Sequence, residues 1–276
     1  MYNAINKIII PAAMALMLAS CGNQEKESAA EPYGKCETAI SEHRLAEALE
    51  LLDTLDVRYS KQVEVRRDAM RLRAQIMEGM AMDSIGASDA ALAEATLLVQ
   101  EWGPKFRHIE SSVGLEGYFL PKGVNEKMMT QSGIQGRVSD KGFFYVVANV
   151  QGRSIGLRSF ELISGSDKVS SSDISASRII KVEGSESASF NPEELEAIGP
   201  WLESHNAPSQ LILVGSKGNL KLKLTAAQGE ELKDCYNYSK ALQAQRRASI
   251  RREKFERMLA TARDQLANLP VKDSEQ

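Results

Sequence analysis

Ile134-Gln135-Gly136-Arg137-Val138-Ser139-Asp140-Lys141-Gly142-Phe143-Phe144-Tyr145-Val146-Val147-Ala148-Asn149-Val150 decides the fold class. Two short runs rich in β-branched and aromatic residues flank Asp140-Lys141-Gly142, a composition suited to a tight hairpin turn. Further strands are expected at Ile155 to Ile163, Arg178 to Val182, Gln210 to Val214 and Leu220 to Leu224. Leu220-Lys221-Leu222-Lys223-Leu224 alternates strictly, which buries one face and leaves its lysines in water. Gln151-Gly152-Arg153 suits a second hairpin turn, and Ser164 to Ser177 reads as a Ser- and Asp-rich loop. Asn191-Pro192-Glu193-Glu194 opens a short helix towards Glu203, with the proline in its first turn. Hairpins with one inserted helix imply an antiparallel module, not a parallel doubly wound sheet.

Both flanks of this module change period. Thr38 to Val57 places Leu45, Ala48, Leu49, Leu52 and Leu55 on one helical face. After a break near Arg58 to Gln62, Val65, Ala69, Leu72, Ile76 and Met80 resume the stripe. Arg66, Arg67, Arg71 and Arg73 crowd its other side, the ordinary pattern of a solvated face. Ser88-Asp89 can cap a third helix that reaches Trp102 and stops at Gly103-Pro104. Gly229 to Leu269 reads as one long helix, and Phe255, Leu259, Ala262, Leu266 and Leu269 repeat at four and three, a coiled-coil seam. That seam needs cover, and the N-terminal hairpin carries matching stripes. The class is therefore α+β: an N-terminal αα-hairpin plus third helix, a central antiparallel β-rich module with one inserted helix, and a long C-terminal helix packing back on the N-terminal helices.

Ala46-Glu47-Ala48-Leu49 followed by Asp68-Ala69 resembles the helix-turn-helix of a tetratricopeptide repeat, with no second copy at the period such arrays need. A second resemblance carries the address. Lys7 precedes an apolar run from Ile8 to Leu18, and Leu18-Ala19-Ser20-Cys21 resembles the lipobox of bacterial lipoproteins. Eleven apolar residues including Pro11 are too few to cross ~30 Å of hydrocarbon as a helix. The resemblance implies cleavage before Cys21, a diacylglycerol thioether on its sulfur and a fatty acyl chain such as palmitate on its amine. Gly22 after the cysteine, where retained lipoproteins carry Asp, implies the outer membrane, on its periplasmic or surface side. The chain beyond residue 25 resembles uncharacterised envelope lipoproteins of anaerobic gut bacteria, which implies no activity.

The expected organisation is a signal peptide at 1–20, a lipid tether at 21–35, a helical region at 36–112, a β-rich module at 113–226, a long C-terminal helix at 227–270 and a polar tail at 271–276. Loss of residues 1–20 removes Lys7 alone among the charged residues and leaves a net charge of −4, unlike a basic nucleic-acid binder. Apart from Cys21, only Cys36 and Cys235 remain. They can form a disulfide if their Cα atoms approach within about 7 Å, or serve as small apolar side chains in helix packing.

Catalytic motifs lack their context. Gly152-Arg153-Ser154-Ile155-Gly156 has the spacing of a hydrolase nucleophile elbow, and Asp173 and His205 follow in serine, acid, base order. An elbow needs a helix after the serine, whereas Leu157, Phe160, Leu162 and Ile163 read as a strand. His43, His108 and His205 are scattered without metal-ligand spacing, and there is no phosphate-binding glycine loop. No catalytic residue, metal or cofactor is expected. The leading expectation is a non-catalytic envelope lipoprotein that binds or scaffolds, attached to the membrane through Cys21 and meeting an envelope protein partner. The alternative is an envelope enzyme with dispersed catalytic residues on the β-rich module. Asp53-Thr54-Leu55 and Asp83-Ser84-Ile85 resemble bacterial O-glycan acceptors.

Overall fold

The structure is a computed structural model that describes residues 29–110, 116–125 and 130–269. The signal segment, Cys21 and the tail at 271–276 lie outside the described residues. The chain is α+β, as its periodicities require, and divides into two compact units. One comprises the residues up to Asp89 together with those from Ile250 onwards; the other is Ala90–Ser249.

The helical unit is built on three N-terminal helices. Helix α1 spans residues 29–41, α2 is Leu45–Arg58 and α3 is Val63–Trp102, whose C-terminal part enters the other unit. Residues 29–35 are thus helical where the tether was expected. The single helix read at Thr38 to Val57 is broken at residues 42–44, where His43 adopts φ 59°. The predicted stripes form the core: Leu45, Ala48, Leu52 and Leu55 of α2 are buried with Ala69, Leu72 and Ile76 of α3 and with Ala29, Cys36 and Ala39 of α1.

Ser88-Asp89 does not start a separate helix. The Ser88 hydroxyl donates to the Ser84 carbonyl one turn back, at 2.7 Å, and α3 runs through without a break. The alternating use of serine, cap or back-bond, cannot be read from its position alone.

Helix α5, Ala226–Asn268, closes the helical unit with its C-terminal portion, packed on α3 as the seam demands. Arg252 donates to Asp89 at 2.6 Å and Arg263 to Glu78 at 2.8 Å. The eleven-residue step on α5 matches an eleven-residue step on α3, close to three helical turns, so the two run antiparallel with a constant register. Ala262 is buried along this seam, and its other members are half-buried.

The β unit begins earlier than expected, with β1 at Phe106–Ile109 and β2 at Tyr118–Pro121. Strands β3 (Gly133–Ser139) and β4 (Phe144–Val150) form the hairpin around residues 140–142. They are followed by β5 (Leu157–Ser164), β6 (Asp167–Ser170), β7 (Ile180–Val182) and β8 (Ser185–Phe190). Helix α4 (Ile198–Ser204) precedes β9 (Gln210–Gly215) and β10 (Leu220–Lys223). All pairings are antiparallel, in a six-stranded sheet ordered β1-β2-β3-β4-β8-β7 and a four-stranded sheet ordered β10-β9-β5-β6. The expected loop at 164–177 thus contains β6. The expected helix from Asn191 is a 3-10 turn, Pro192–Glu194, held by an Asn191–Glu194 capping box ahead of α4.

Gln151-Gly152-Arg153 is not a hairpin. It begins the bend that carries the chain out of β4 in the larger sheet and into β5 in the smaller one. Gly152 and Gly156 both take positive φ there, 72° and 65°. A register shift between Leu157 and Ser159 lets both Leu157 and Phe160 face inward. The core gathers Val146, Ala148 and Val150 of β4, Phe160 and Leu162 of β5, Phe190 of β8, Leu211 and Leu213 of β9, and Ile198 and Leu202 of α4. Leu232, Cys235 and Tyr238 of α5 join them, with Tyr238 stacked on Phe106.

Cys36 and Cys235 are free, buried thiols in two different hydrophobic clusters, so the possible disulfide is not formed. Cys36 donates to the Ala48 carbonyl, and Cys235 packs against Gly136 of β3. Burial pushes both thiols above the ordinary cysteine range, which makes them packing groups, not nucleophiles.

Candidate functional site

The larger sheet turns Val138, Phe144, Val146, Ala148 and Phe190 to the core. Alternation sends Arg137, Tyr145, Val147, Asn149 and Ser189 to its opposite face. One part of that face is covered by Val124, Asn125 and Gln131, which lie between β2 and β3. The Gln135 side chain donates to the Asn125 carbonyl, Asn149 to the Gln131 carbonyl and Arg107 to the Val124 carbonyl. The other part stays open as a cleft of about 530 Å³.

Glu116, Gly117, Ser139, Phe143 and Tyr145 line this cleft on one side, and Ser189, Asn191, Pro192 and Glu193 on the other. The β3–β4 turn fixes the first wall. Asp140 accepts from the Gly117 amide at 2.9 Å and pairs with His108 at 2.7 Å, while Lys141 reaches Glu116 at 2.9 Å. Gly117 has no room for a side chain, because a Cβ would come within 2.9 Å of Asp140 and 2.8 Å of His108. The second wall is set by Glu194, which caps the amide of Asn191 and pairs with Arg178 at 2.6 Å. Burial raises the Glu194 carboxyl, but Arg178 and the amides around it outweigh burial and hold it below the usual range.

At the cleft floor, burial pushes the Tyr145 hydroxyl above the ordinary phenol range, against the opposing pull of Arg137. Tyr145 is therefore neutral at physiological pH and offers both a donor and an acceptor. Arg137 itself lies 4.4 Å over the Tyr118 ring and donates to Gln135 at 2.7 Å. Three hydroxyls, one carboxamide and two carboxylates converge beside the half-exposed Phe143 and Pro192. Such a lining hydrogen-bonds hydroxyl or amine groups and offers an apolar wall, and its carboxylates disfavour anions.

The nucleophile-elbow candidates are spent on structure. The Ser154 hydroxyl donates to Glu186, a wholly buried carboxylate at an inward position of β8. The amides of Ile155, Gly156 and Leu157 donate to the same two oxygens, each at 3.1 Å. Burial opposes this charge, but the serine and the three amides together outweigh it and keep the carboxyl below the usual glutamate range. Asp173 pairs with Arg158, and His205 stacks on Trp201 with ring centroids 4.8 Å apart. His43 pairs with Asp83 at 2.9 Å. Serine, acid and base thus belong to three different local contacts. Among the described residues no group of three or more His, Cys, Asp or Glu side chains is placed to hold a metal ion. Both O-glycan-like tripeptides lie within helices, α2 and α3.

No family model, curated protein or solved structure matches this chain. Sequence reading missed Tyr145, Ser189 and Glu116 as cleft residues and Glu186 as a buried anion. The outward parity of Tyr145 in β4 was the available signal, whereas β8 reads as Ser185-Glu186-Ser187-Ala188-Ser189-Phe190, too polar to declare itself a strand.

Proposed function

We propose that the chain is a lipid-anchored protein of the bacterial envelope, held at the outer membrane through Cys21, that acts by binding and not by catalysis. The open cleft around Tyr145 carries this reading. Its hydroxyls, the Asn191 carboxamide and its carboxylates sit beside an apolar wall, which suits a ligand or partner segment bearing hydroxyl or amine groups. The Leu18 to Cys21 motif supports the anchor. The alternative, an enzyme using this cleft, would need a base with an accessible neutral-range pKa; the shift at Tyr145 runs the other way.

The test is site-specific photocrosslinking in intact cells. A crosslinker in place of Tyr145 should capture a discrete partner or ligand, and one at the exposed Lys221 of β10 should not. Filling the cleft by Ser189→Trp should abolish adducts captured from Asn191. Equal adducts from positions 145 and 221, or adducts that survive the filled cleft, would contradict the proposal.

A further inference from the structure

The end of the helical unit at which α1 begins carries a surface that the described fold does not use. On α3, Val63, Arg66, Arg67 and Met70 stand at intervals of three, one and three and share one helical face. All four are exposed, Val63 by 71% and Met70 by 58%, while Ala69, Leu72 and Ile76 bury the opposite face. Val57, 80% exposed, and Arg58 and Lys61 flank them at the α2–α3 turn. Residues 57–71 hold five basic and two acidic side chains in a chain whose net charge is −3. Arg73 is paired with Asp53 and Asp56, whereas Arg58, Lys61, Arg66 and Arg67 have no ion-pair partner among the described residues.

The path of α1 brings its first residue, Ala29, to this same end. Helices α1 and α2 are joined by the short turn at 42–44, so the start of α1 returns beside the end of α2. Ala29 and Tyr33 pack in one cluster with Leu55, Tyr59 and Ala69. Tyr33 packs against the cluster that holds Ala69 and Leu72 of α3, and burial, with the nearby Asp68 charge adding to it, pushes its hydroxyl up to about 12. Cys21 lies eight residues before Ala29, a reach of at most about 28 Å even when fully extended.

We infer that this apolar and basic end docks on the anionic surface of the bilayer that carries the Cys21 lipid, an inference that rests on the proposed anchor. Exposed valines and a methionine can enter the headgroup boundary while the arginines meet lipid phosphates. The contact holds this end of the helical unit against the membrane instead of letting it swing on its tether.

The patch is tested without the lipid, on the mature chain from residue 21 carrying Cys21→Ser. It should cosediment with vesicles of phosphatidylglycerol and phosphatidylcholine, and much less with phosphatidylcholine alone. Each arginine removed should weaken binding about fivefold, so Arg66→Gln with Arg67→Gln should cost about 25-fold. Val57→Ser with Val63→Ser should also weaken it, and Lys221→Gln with Lys223→Gln on β10 should not. These side chains are exposed, and unchanged thermal melting verifies folding. Absence of binding to anionic vesicles, or an equal loss from the β10 pair, overturns the inference. Failure of the anchor would instead appear as loss of lipid label on Cys21 in cells with vesicle binding intact.

Discussion

Leu52, Leu55 and Ile76 of the helical unit are buried by neighbours three and four residues apart on facing helices. Phe160 and Phe190 of the β unit meet edge to face at 5.0 Å from strands of two different sheets, thirty residues apart in sequence. The helical core is assembled from local stripes. The β core depends on distant pairings, β4 with β8 and β5 with β9, and on a buried carboxylate that fixes the bend between the sheets. Removing a buried side chain leaves a cavity in either core; in the second, several strands depend on the same few distant contacts.

Four substitutions sharpen this difference. Phe160→Ala should be the most damaging, at about 3–5 kcal/mol, because it removes an aromatic side chain with no exposed surface. Amide exchange should then accelerate through residues 106–223 and change little between residues 45 and 80. A uniform rise across both stretches would mean that the two cores are one cooperative structure.

Glu186→Gln should cost about 2–4 kcal/mol, since one acceptor oxygen is replaced by a donor facing backbone amides. The carboxyl is held below its ordinary value, so its contribution is full above about pH 4.3 and is lost as pH falls through the folded value. Melting temperatures of wild type and Glu186→Gln should therefore converge on acidification. A constant gap would remove the charge from the explanation.

Leu259→Ala on α5 is expected to cost less, about 1–2 kcal/mol, because Leu259 is half-buried along the seam and not sealed in a core. Exchange should rise in the facing part of α3 and leave residues 106–223 unaffected. Urea unfolding that shows a loss as large as that of Phe160→Ala would place a true core at the seam. Asp89→Asn should have the smallest effect, below about 1 kcal/mol, because its pair with Arg252 is solvent-exposed. A larger shift would show that this pair, and not apolar packing, sets the register of α3 against α5.

The same contrast explains what could be read in advance. The stripes from Leu45 to Ile76 and the seam from Phe255 to Leu269 are local signals, and helix was legible there, but not the break at 42–44 or the unbroken run of α3 through Ser88-Asp89. The β3–β4 hairpin was legible because Asp140-Lys141-Gly142 is itself a turn signal. Strands β1 and β2 have four residues each, too few for alternation to register. Strand β8 hides because one of its inward positions is Glu186, whose partners lie about thirty residues earlier. The bend at 151–156 looks like a hairpin because glycines at positive φ serve either geometry. Of the cleft, only its Asn191-Pro192 wall announced itself, as a helix start; Tyr145 and Ser189 meet only through the β4–β8 pairing.

The proposed membrane contact of the helical unit rests on the proposed anchor at Cys21, and one measurement addresses that anchor directly. Cells expressing wild type or Cys21→Ala are fed a clickable palmitate analogue, and the protein is isolated and resolved by mass. Wild type should carry label on a chain that begins at Cys21, and Cys21→Ala should appear as an unlabelled, longer precursor. Equal label in both, or a wild-type chain cleaved elsewhere without lipid, would contradict the account.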